Sequence, residues 1–363
     1  MMTRFKSLLL SLWLGHSQGL SVSPVTAINS NQLQAEKSKL LDLLQATPKE
    51  DPVLADPLTK ESLTISTTSP FLGGSRYSRQ TFTLQSPSNT YRGTSGTFLD
   101  LLQPAGEDNS TESSLFKTVV PLIPPPLRSA MAGMNDEYIP MRDLFTSPSV
   151  SFAYERGWRQ GFRAAGFPGP DQEAEMAMAY FAPSMAKSDD KVLVDMSCAT
   201  GLFTRRFAAS GKYSRVLGCD YSDSMLLEAG RRIRAEPSLL TSKSTKLDLI
   251  RLDVGRIPMK DNSVDALHAG AAMHCWPDLD AAMSEIYRVL KPGGRYFATT
   301  FLSSYFGNLQ RAEGGASGPS KQAFQYFGSV EEIRFLLVSG GFQRENIVIE
   351  VLGNACVVIR CEK

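Results

Sequence analysis

The sequence predicts an α/β fold, in which a doubly wound, seven-stranded mixed sheet follows a largely irregular N-terminal extension. Three observations lead to this prediction. Apolar strand patterns alternate with helical patterns from about residue 190 to about residue 342. A turn of small residues follows the first of these strands, and such a turn lets the backbone approach a ligand. The chain closes with two strands joined at Gly353-Asn354, a hairpin signal that adds an antiparallel edge.

The composition argues against several classes of protein. The 363 residues include 38 Lys and Arg against 37 Asp and Glu, a formal net charge of +1, which argues against a nucleic-acid partner. No run of 18 apolar residues is present, which argues against a transmembrane segment and leaves peripheral contact with a lipid surface open. The five cysteines have no C-x-x-C spacing, which argues against a metal site and favours a reducing compartment. The oligomeric state is not predicted.

The N-terminal part has two segments of different character. Residues 1–35 contain Arg4 and Lys6 but no acid, and a short apolar stretch is followed by small and hydroxyl residues. This pattern predicts a targeting leader, with a frayed amphipathic N-terminus as the alternative. Residues 36–146 are rich in Ser, Thr and Pro, which predicts a linker with one small hairpin near 90–104. The folded domain is predicted over 147–363.

Within that domain the elements follow one another in a regular order. A helix with Asp171 as its N-cap is predicted before the first strand. The predicted strands cover 191–196, 214–220, 246–253, 263–272 and 293–301, and two more lie in 343–363. The predicted helices between them cover 201–210, 222–235, 278–290 and 329–342.

Ligands of such sheets bind beyond the carboxyl ends of the strands, at the switch in strand order. The first strand ends in a turn of small residues at 195–201. Asp220 ends the second strand, where a carboxylate suits the two hydroxyls of a ribose. Asp253 ends the third strand, where it can accept from an exocyclic adenine amine. Either acid could instead be a helix N-cap, and the K-P-G-G turn at 291–294 could be only a turn.

Taken together, these motifs resemble a known family. From about 147 to 363 the chain is similar to class I S-adenosylmethionine-dependent methyltransferases of the methyltransferase-11 type. The similarity rests on VLVDMSCATGLFTRRF, GCDYSDSML, LDVGRIPMKDNSVDALHAGAAMHCWPD and RVLKPGG. FAYERGWRQGF, FPGPDQEAEMAMAY and HAGAAMHCWPD further resemble a plastid-targeted plant and algal subgroup. The resemblance implies a Rossmann-like methyltransferase fold, S-adenosyl-L-methionine as cofactor, and a chloroplast location through a cleaved transit peptide, with the mitochondrion as the alternative.

The chain departs from the family in two places. The usual D-x-G-x-G-x-G turn is D-M-S-C-A-T-G here, so Ser197 and Ala199 replace two glycines. The methyl group of Ala199 is tolerable beside the cofactor if its φ is negative. Relatives in the subgroup carry a small cysteine-rich ribbon before the core, whereas this chain has no cysteine before Cys198. TYRGTSGTFLDLL at 90–102 is interpreted as a metal-free remnant of that ribbon.

The resemblance also implies the residues of the site. Those expected to bind the cofactor are Asp195, Ser197, Cys198, Ala199, Gly201, Asp220, Tyr221, Met225, Asp253, Val254, Gly270 and Ala271. His274 is the candidate base, with a loop-orienting histidine as the alternative, and His268 is expected in the core. A substrate lid is expected from Tyr154, Trp158, Arg159, Tyr305, Phe306, Phe324 and Tyr326, with a packed helix as the alternative for the first three.

We therefore expect methyl transfer from S-adenosyl-L-methionine to a small-molecule acceptor in a plastid. Candidate acceptor groups are a quinone ring, a hydroxyl or carboxylate group, and a thioether. The alternative is a catalytically silent protein that keeps the cofactor fold and binds a partner, which the loss of two turn glycines suggests.

Overall fold

The computed structural model describes residues 49–67, 82–92, 97–102, 104, 159–241, 245–303 and 327–363, and the statements below concern these residues. The predicted leader and the lid residues Tyr154, Trp158, Tyr305, Phe306, Phe324 and Tyr326 lie outside them, as does the side chain of Arg159. No helix in the described ranges has the length and apolar character required to cross a membrane.

The elements take the following bounds. The strands are β1 (Lys49–Ala55), β2 (Ser62–Thr67), β3 (Phe82–Gln85), β4 (Thr90–Arg92), β5 (Leu99–Asp100), β6 (Val192–Met196), β7 (Arg215–Asp220), β8 (Lys246–Arg251), β9 (Val264–Gly270), β10 (Leu290–Phe301), β11 (Ile347–Leu352) and β12 (Cys356–Glu362). The helices are α1 (Pro170–Ala186), α2 (Leu202–Ala209), α3 (Asp223–Arg234), α4 (Pro237–Thr241), α5 (Leu279–Val289) and α6 (Val330–Ser339).

The main sheet confirms the predicted doubly wound, mixed architecture. Its strand order is β11-β12-β10-β9-β6-β7-β8-β5. The strands from β10 to β5 are parallel, and β12 and β11 add the expected antiparallel hairpin at the other edge. The seven expected strands are all present. An eighth, β5, was not predicted as part of this sheet: Leu99 and Asp100 pair in parallel with Ile250 and Arg251.

Helices cover both faces of the sheet, so its central strands are buried on both sides. All five residues of β6 are buried, and their side chains alternate between two apolar clusters. Val192 and Val194 face the cluster that contains α5 and α6, whereas Leu193 faces the cluster formed with α1, α2 and α3. The carboxyl ends of the strands are thereby held in place by packing on both faces.

Helix α1 differs from the prediction at its start. The N-cap position is Gly169 and the helix begins at Pro170, so the prediction of Asp171 as the N-cap is wrong. Proline favours the first helical position because its fixed φ suits a helix and its missing N–H is not needed there. Asp171 lies in the first turn and pairs with Arg206 of α2 at 2.8 Å.

The described residues of 49–67 and 82–92 contain four strands in the region where a linker was expected. Strands β1 to β4 form a four-stranded antiparallel sheet in sequence order. Among the described residues of 90–104, where a hairpin was expected, β4 pairs with the preceding β3 and β5 joins the main sheet. Strands β2, β3 and β4 have only six, four and three residues, and Leu63, Leu84 and Tyr91 in them are fully buried. Strands this short give a weak periodic signal in the sequence.

A buried carboxylate joins the turns of this small sheet. Asp56 is fully buried and accepts hydrogen bonds from the backbone N–H groups of Leu58 and Thr59 at 2.8 and 3.1 Å. It also accepts from the side chains of Ser86, Asn89 and Tyr91 at 2.7, 2.9 and 3.0 Å. These five donors satisfy a charge that would otherwise be costly to bury.

The small sheet is attached to the main sheet by ions as well as by apolar contacts. The buried Arg215, at the start of β7, pairs with Asp51 at 2.7 Å and with Asp248 at 2.9 Å. Burial disfavours the ionised form of Asp51, but the hydrogen bond and charge of Arg215 outweigh it and lower the pKa of Asp51 to about 2. Leu54 also forms an isolated antiparallel bridge with Met259.

Candidate functional site

A pocket lies beyond the carboxyl ends of β6, β7, β8 and β9. It encloses roughly 740 Å³ of empty space, counting the part that is open to solvent. Its position next to the switch in strand order, between β6 and β9, is the one expected from the fold. The lining residues are Met196, Ser197, Ala199, Asp220, Tyr221, Ser222, Met225, Leu252, Asp253, Val254, Gly270, Ala271, Ala272, Cys275, Trp276 and Pro277.

Nine of the twelve residues predicted to bind a cofactor line this pocket. They are Ser197, Ala199, Asp220, Tyr221, Met225, Asp253, Val254, Gly270 and Ala271. The other three, Asp195, Cys198 and Gly201, do not line it. Four of the lining residues absent from the predicted set, Met196, Ser222, Leu252 and Ala272, are direct neighbours of predicted ones. The other three, Cys275, Trp276 and Pro277, lie further along the segment after β9.

The turn after β6 has a left-handed backbone at every second residue. Ser197, Ala199 and Gly201 have φ of 55°, 48° and 76°. The φ of Ala199 is therefore positive, so the condition under which its methyl group would be tolerated without strain is not met. A left-handed conformation costs a non-glycine residue about 1–2 kcal/mol, so the turn retains the shape of a glycine turn at an energetic cost.

Ser197 has a contact that glycine cannot provide. Its hydroxyl accepts a hydrogen bond from the indole N–H of Trp276 at 2.9 Å. Trp276 is almost fully buried and lines the pocket on the segment that follows β9. The serine therefore connects the turn after β6 to the loop after β9, which are two walls of the same pocket.

Asp220 connects the turns after β6 and β7. Its Oδ2 accepts from the backbone N–H of Ala199 at 2.8 Å, and its Oδ1 accepts from that of Ser222 at 2.9 Å. Burial raises the pKa of Asp220 to about 6, because the backbone donors only partly offset the loss of hydration. Each carboxylate oxygen has a second lone pair, which leaves acceptor capacity at the pocket wall. The N-cap of α3 is Ser222, so Asp220 is not itself that cap.

Asp253 combines the two interpretations that the sequence left open. It is the N-cap of a short 3₁₀ segment, Val254–Arg256, and accepts from the backbone N–H of Gly255 at 3.0 Å. It also lines the pocket. A carboxylate has about four acceptor positions, so capping does not exhaust its capacity to accept from a ligand.

Tyr221 is positioned from the far edge of the sheet. The guanidinium of Arg251 lies over its ring at 5.9 Å and donates to its backbone carbonyl at 3.0 Å. Arg251 in turn pairs with Asp100 of β5 at 3.1 Å. The unpredicted eighth strand thus supports a wall of the pocket through one arginine.

Gly270 and Ala271 form the floor of the pocket at the end of β9. A Cβ at Gly270 would lie 2.9 Å from ring atoms of both His268 and Phe203, so only glycine fits there. Ala271 has a φ of 53°, and its backbone N–H donates to the hydroxyl of Thr299 at 2.9 Å. The end of the strand is therefore strained and held from the neighbouring strand β10.

Asp195 lies beneath the pocket. Its side chain is 1% exposed. Its Oδ2 accepts a hydrogen bond from the hydroxyl of Thr204 of α2 at 2.5 Å, and its Oδ1 lies 2.8 Å from Nδ1 of His268. His268 is fully buried, as expected of a core residue. Cys198 is also buried, and burial raises the pKa of its thiol well above the ordinary value, which suits a packing role.

The candidate base His274 is not among the lining residues. Its ring is nearly buried and meets Phe301 edge-on at 5.0 Å between ring centroids. Its chain neighbour Cys275 does line the pocket. The histidine is therefore adjacent to the pocket in the chain but packed against β10 in this arrangement.

The comparisons with known proteins agree with this geometry. Residues 194–298 match the model of a methyltransferase domain family. An uncharacterized chloroplastic methyltransferase of Arabidopsis thaliana is 51% identical over 160 residues, 44% of this chain and 44% of the relative. A second chloroplastic methyltransferase from that plant is 47% identical over 160 residues, 44% of this chain and 43% of the relative. The demethylmenaquinone methyltransferase of Symbiobacterium thermophilum is 38% identical over 108 residues, 29% of this chain and 40% of the relative.

Two conclusions follow from these matches. The matched region spans less than half the length of each of these relatives. Residues 194–298 match a methyltransferase domain, which confirms, for that part of the chain, the resemblance inferred from the sequence.

Proposed function

We propose that this protein transfers a methyl group from S-adenosyl-L-methionine to a small-molecule acceptor in a plastid. The main support is a single pocket wall that presents Asp220 and Asp253 from consecutive strand ends, beside the glycine floor at Gly270. Two carboxylates at that spacing along the chain match a ligand with a ribose diol and an exocyclic amine. When bound, the cofactor supplies an electrophilic methyl group on a positively charged sulfur.

In this proposal each lining residue has a separate role. Asp220 accepts from the ribose hydroxyls, and Asp253 accepts from the adenine amine. Tyr221 and Met225 flank the adenine with apolar surface, and Gly270 and Ala271 lie beneath the sulfonium end. Asp195 accepts a hydrogen bond from Thr204 of α2, which holds the turn after β6 in place. Alignment of acceptor and methyl group in such a site accounts for much of the lowering of the barrier.

An oxygen or carbon acceptor loses a proton as it gains the methyl group, and His274 is the proposed base. Its position directly after the floor of the pocket supports this role, and histidine is the side chain most often used as a general base. Because its ring packs against Phe301, proton transfer requires the side chain to turn toward the pocket. His274→Ala should then abolish turnover while binding of S-adenosyl-L-methionine is kept; intact turnover would remove His274 from the mechanism.

The acceptor is proposed as a small apolar or carboxylated metabolite, with a quinone ring, a hydroxyl or carboxylate group, or a thioether as the group that is methylated. A quinone gains support from the demethylmenaquinone methyltransferase among the relatives, although that match covers only 29% of this chain. The plastid location is supported by the two chloroplastic relatives and by the acid-free, basic start of the sequence.

The function is tested by incubating the protein with S-adenosyl-L-methionine labelled in the methyl group and a plastid extract. Transfer of label to a small molecule, followed by its identification, is the expected result. The Asp220→Ala variant is the control and should transfer no label. Tight cofactor binding by the native chain without any labelled product would favour the silent binding protein instead.

A further inference from the structure

A group of ionisable side chains is buried directly beneath the floor of the pocket. Glu173 of α1, His268 of β9 and Asp195 of β6 are all 0–1% exposed. His268 lies between the two acids, with Nδ1 2.8 Å from Asp195 and Nε2 3.7 Å from Glu173. The first distance is a hydrogen bond and the second is an ion-pair contact. Ionisable side chains are costly to bury, and three of them meet here.

The surroundings of this group keep water away from it. The ring of His268 lies between the rings of Phe203, Phe207 and Phe297, with centroids 4.6, 5.1 and 6.0 Å away. Burial alone would lower the pKa of His268, but the hydrogen bonds and charges of Asp195 and Glu173 outweigh burial and raise it. The group contains two carboxyl groups and one imidazole, so its acids outnumber its base by one.

Glu173 is connected to the pocket by a short chain of hydrogen bonds. Its Oε1 accepts from the hydroxyl of Thr299 at 2.9 Å, and that hydroxyl accepts from the backbone N–H of Ala271. Glu173 Oε1 also lies 3.0 Å from the point where a Cβ of Gly270 would be. The carboxyl group of Glu173 therefore lies just behind two residues of the pocket floor, where apolar surroundings strengthen the field of a charge.

We propose that the buried Glu173–His268–Asp195 group makes the pocket prefer the positively charged cofactor S-adenosyl-L-methionine to its uncharged thioether product, S-adenosyl-L-homocysteine. This inference rests on the proposed function. The two ligands share the adenosine and amino-acid parts and differ in the methyl group and the charge on sulfur. A fixed negative charge under the floor attracts the positively charged sulfur of the cofactor. Transfer of the methyl group removes that positive charge, so the product binds more weakly. Glu173 is a positioning residue here, because it acts through the field and through Thr299.

The test compares the dissociation constants of both ligands by calorimetry in the native chain and in Glu173→Gln. This substitution removes the charge and keeps an oxygen that can accept from Thr299. We expect S-adenosyl-L-methionine to bind about tenfold more weakly and S-adenosyl-L-homocysteine to change less than about twofold. Glu175→Gln removes an exposed carboxylate from the same helix and should alter neither constant. An equal loss for both ligands, or no change in their ratio, would overturn the proposal.

Two further variants separate charge from structure. Thr299→Val keeps the charge of Glu173 but removes its link to Ala271, and should affect both ligands alike. Asp195→Asn removes a charge from the other end of the group and should also lower the preference; it decides the matter if Glu173→Gln does not fold. Failure of the native chain to bind either ligand would reject the proposed function, whereas binding of both with an unchanged ratio in Asp195→Asn would reject only the role of the buried group.

Discussion

The two ends of the main sheet differ in the partners of their charged side chains and in the backbone strain of their residues. At the amino end, ions meet opposite charges: Lys291 pairs with the buried Asp265 at 2.9 Å, and Arg215 pairs with Asp51 and Asp248. Asp265 also accepts from the backbone N–H of Val192 at 2.9 Å, which fixes the start of β6. At this end the polar groups therefore hold strands together.

At the carboxyl end, the acid that faces the pocket is paired differently. Asp220 accepts from backbone donors, and burial raises its pKa. Ser197, Ala199 and Ala271 all have a left-handed backbone there. The amino end has such a residue in Asn262, but asparagine adopts this conformation readily. The difference indicates that ion pairs fix the strand starts at the amino end, while strained residues and spare acceptor capacity lie at the end where we propose that the ligand binds.

The largest expected effect lies at the amino end. Arg215→Met leaves Asp51 and Asp248 buried without their cation, so the free energy of unfolding should fall by about 3–5 kcal/mol. Denaturant unfolding measures this loss. Lys260→Met, which removes a partly exposed partner of Glu50, is the control and should change stability by less than about 1 kcal/mol. Equal losses in the two variants would contradict the anchoring role of Arg215.

The next effect lies at the carboxyl end and concerns binding. Asp220→Ala should weaken binding of S-adenosyl-L-methionine about a hundredfold, because two hydrogen bonds to a charged acceptor are lost. Asp223→Ala removes a carboxylate that does not line the pocket and should change the dissociation constant less than about twofold. Calorimetry on both variants checks this, and an unchanged affinity in Asp220→Ala would contradict the ribose role.

The raised pKa of Asp220 makes that binding depend on pH. The ligand hydroxyls donate to the ionised carboxylate, so binding favours the form present above a pKa of about 6. Affinity should be constant above pH 7 and fall by up to about tenfold per unit below pH 6, as protonation competes with the ligand. Affinities measured from pH 5 to pH 8 test this, and the slope should disappear in Asp220→Ala. A flat profile in the native chain would show that Asp220 does not control binding.

The smallest expected effect concerns strain. Ala199→Gly should raise the free energy of unfolding by about 1 kcal/mol, because glycine adopts a φ of 48° without steric cost. Ala208→Gly in helix α2 should lower it by about the same amount, as glycine does inside helices. Ser197→Gly should have little net effect, since relief of strain is offset by loss of the bond from Trp276. Thermal unfolding of the three variants measures these changes. A lower stability of Ala199→Gly than of the native chain would contradict the claim that Ala199 is strained.

The sequence predicted the strands, helices and lining residues that follow from local patterns. Strand ends such as Asp220 and Asp253 can be located because periodicity places strands and the fold places their carboxyl ends together. Glu173 was missed because an acid in the first turn of a helix normally lies on the surface. The backbone conformation of Ser197 and Ala199 was missed because only glycine signals a left-handed residue directly.

Contacts between distant parts of the chain account for the other differences. Arg251 contacts Tyr221 and pairs with Asp100, which lies 151 positions earlier in the sequence. The four-stranded sheet is stabilised by Asp56 and by Arg215 rather than by a long apolar pattern. Neither feature has a local signature, so both required the three-dimensional arrangement.

The central claim is that the pocket at the carboxyl end binds S-adenosyl-L-methionine through the acids of the strand ends. Titration calorimetry of the full 363-residue chain with this cofactor tests it most directly. We predict one bound cofactor per chain, with binding lost or strongly weakened in Asp220→Ala and kept in Asp223→Ala. No binding by the native chain, or equal binding by all three proteins, would contradict the account.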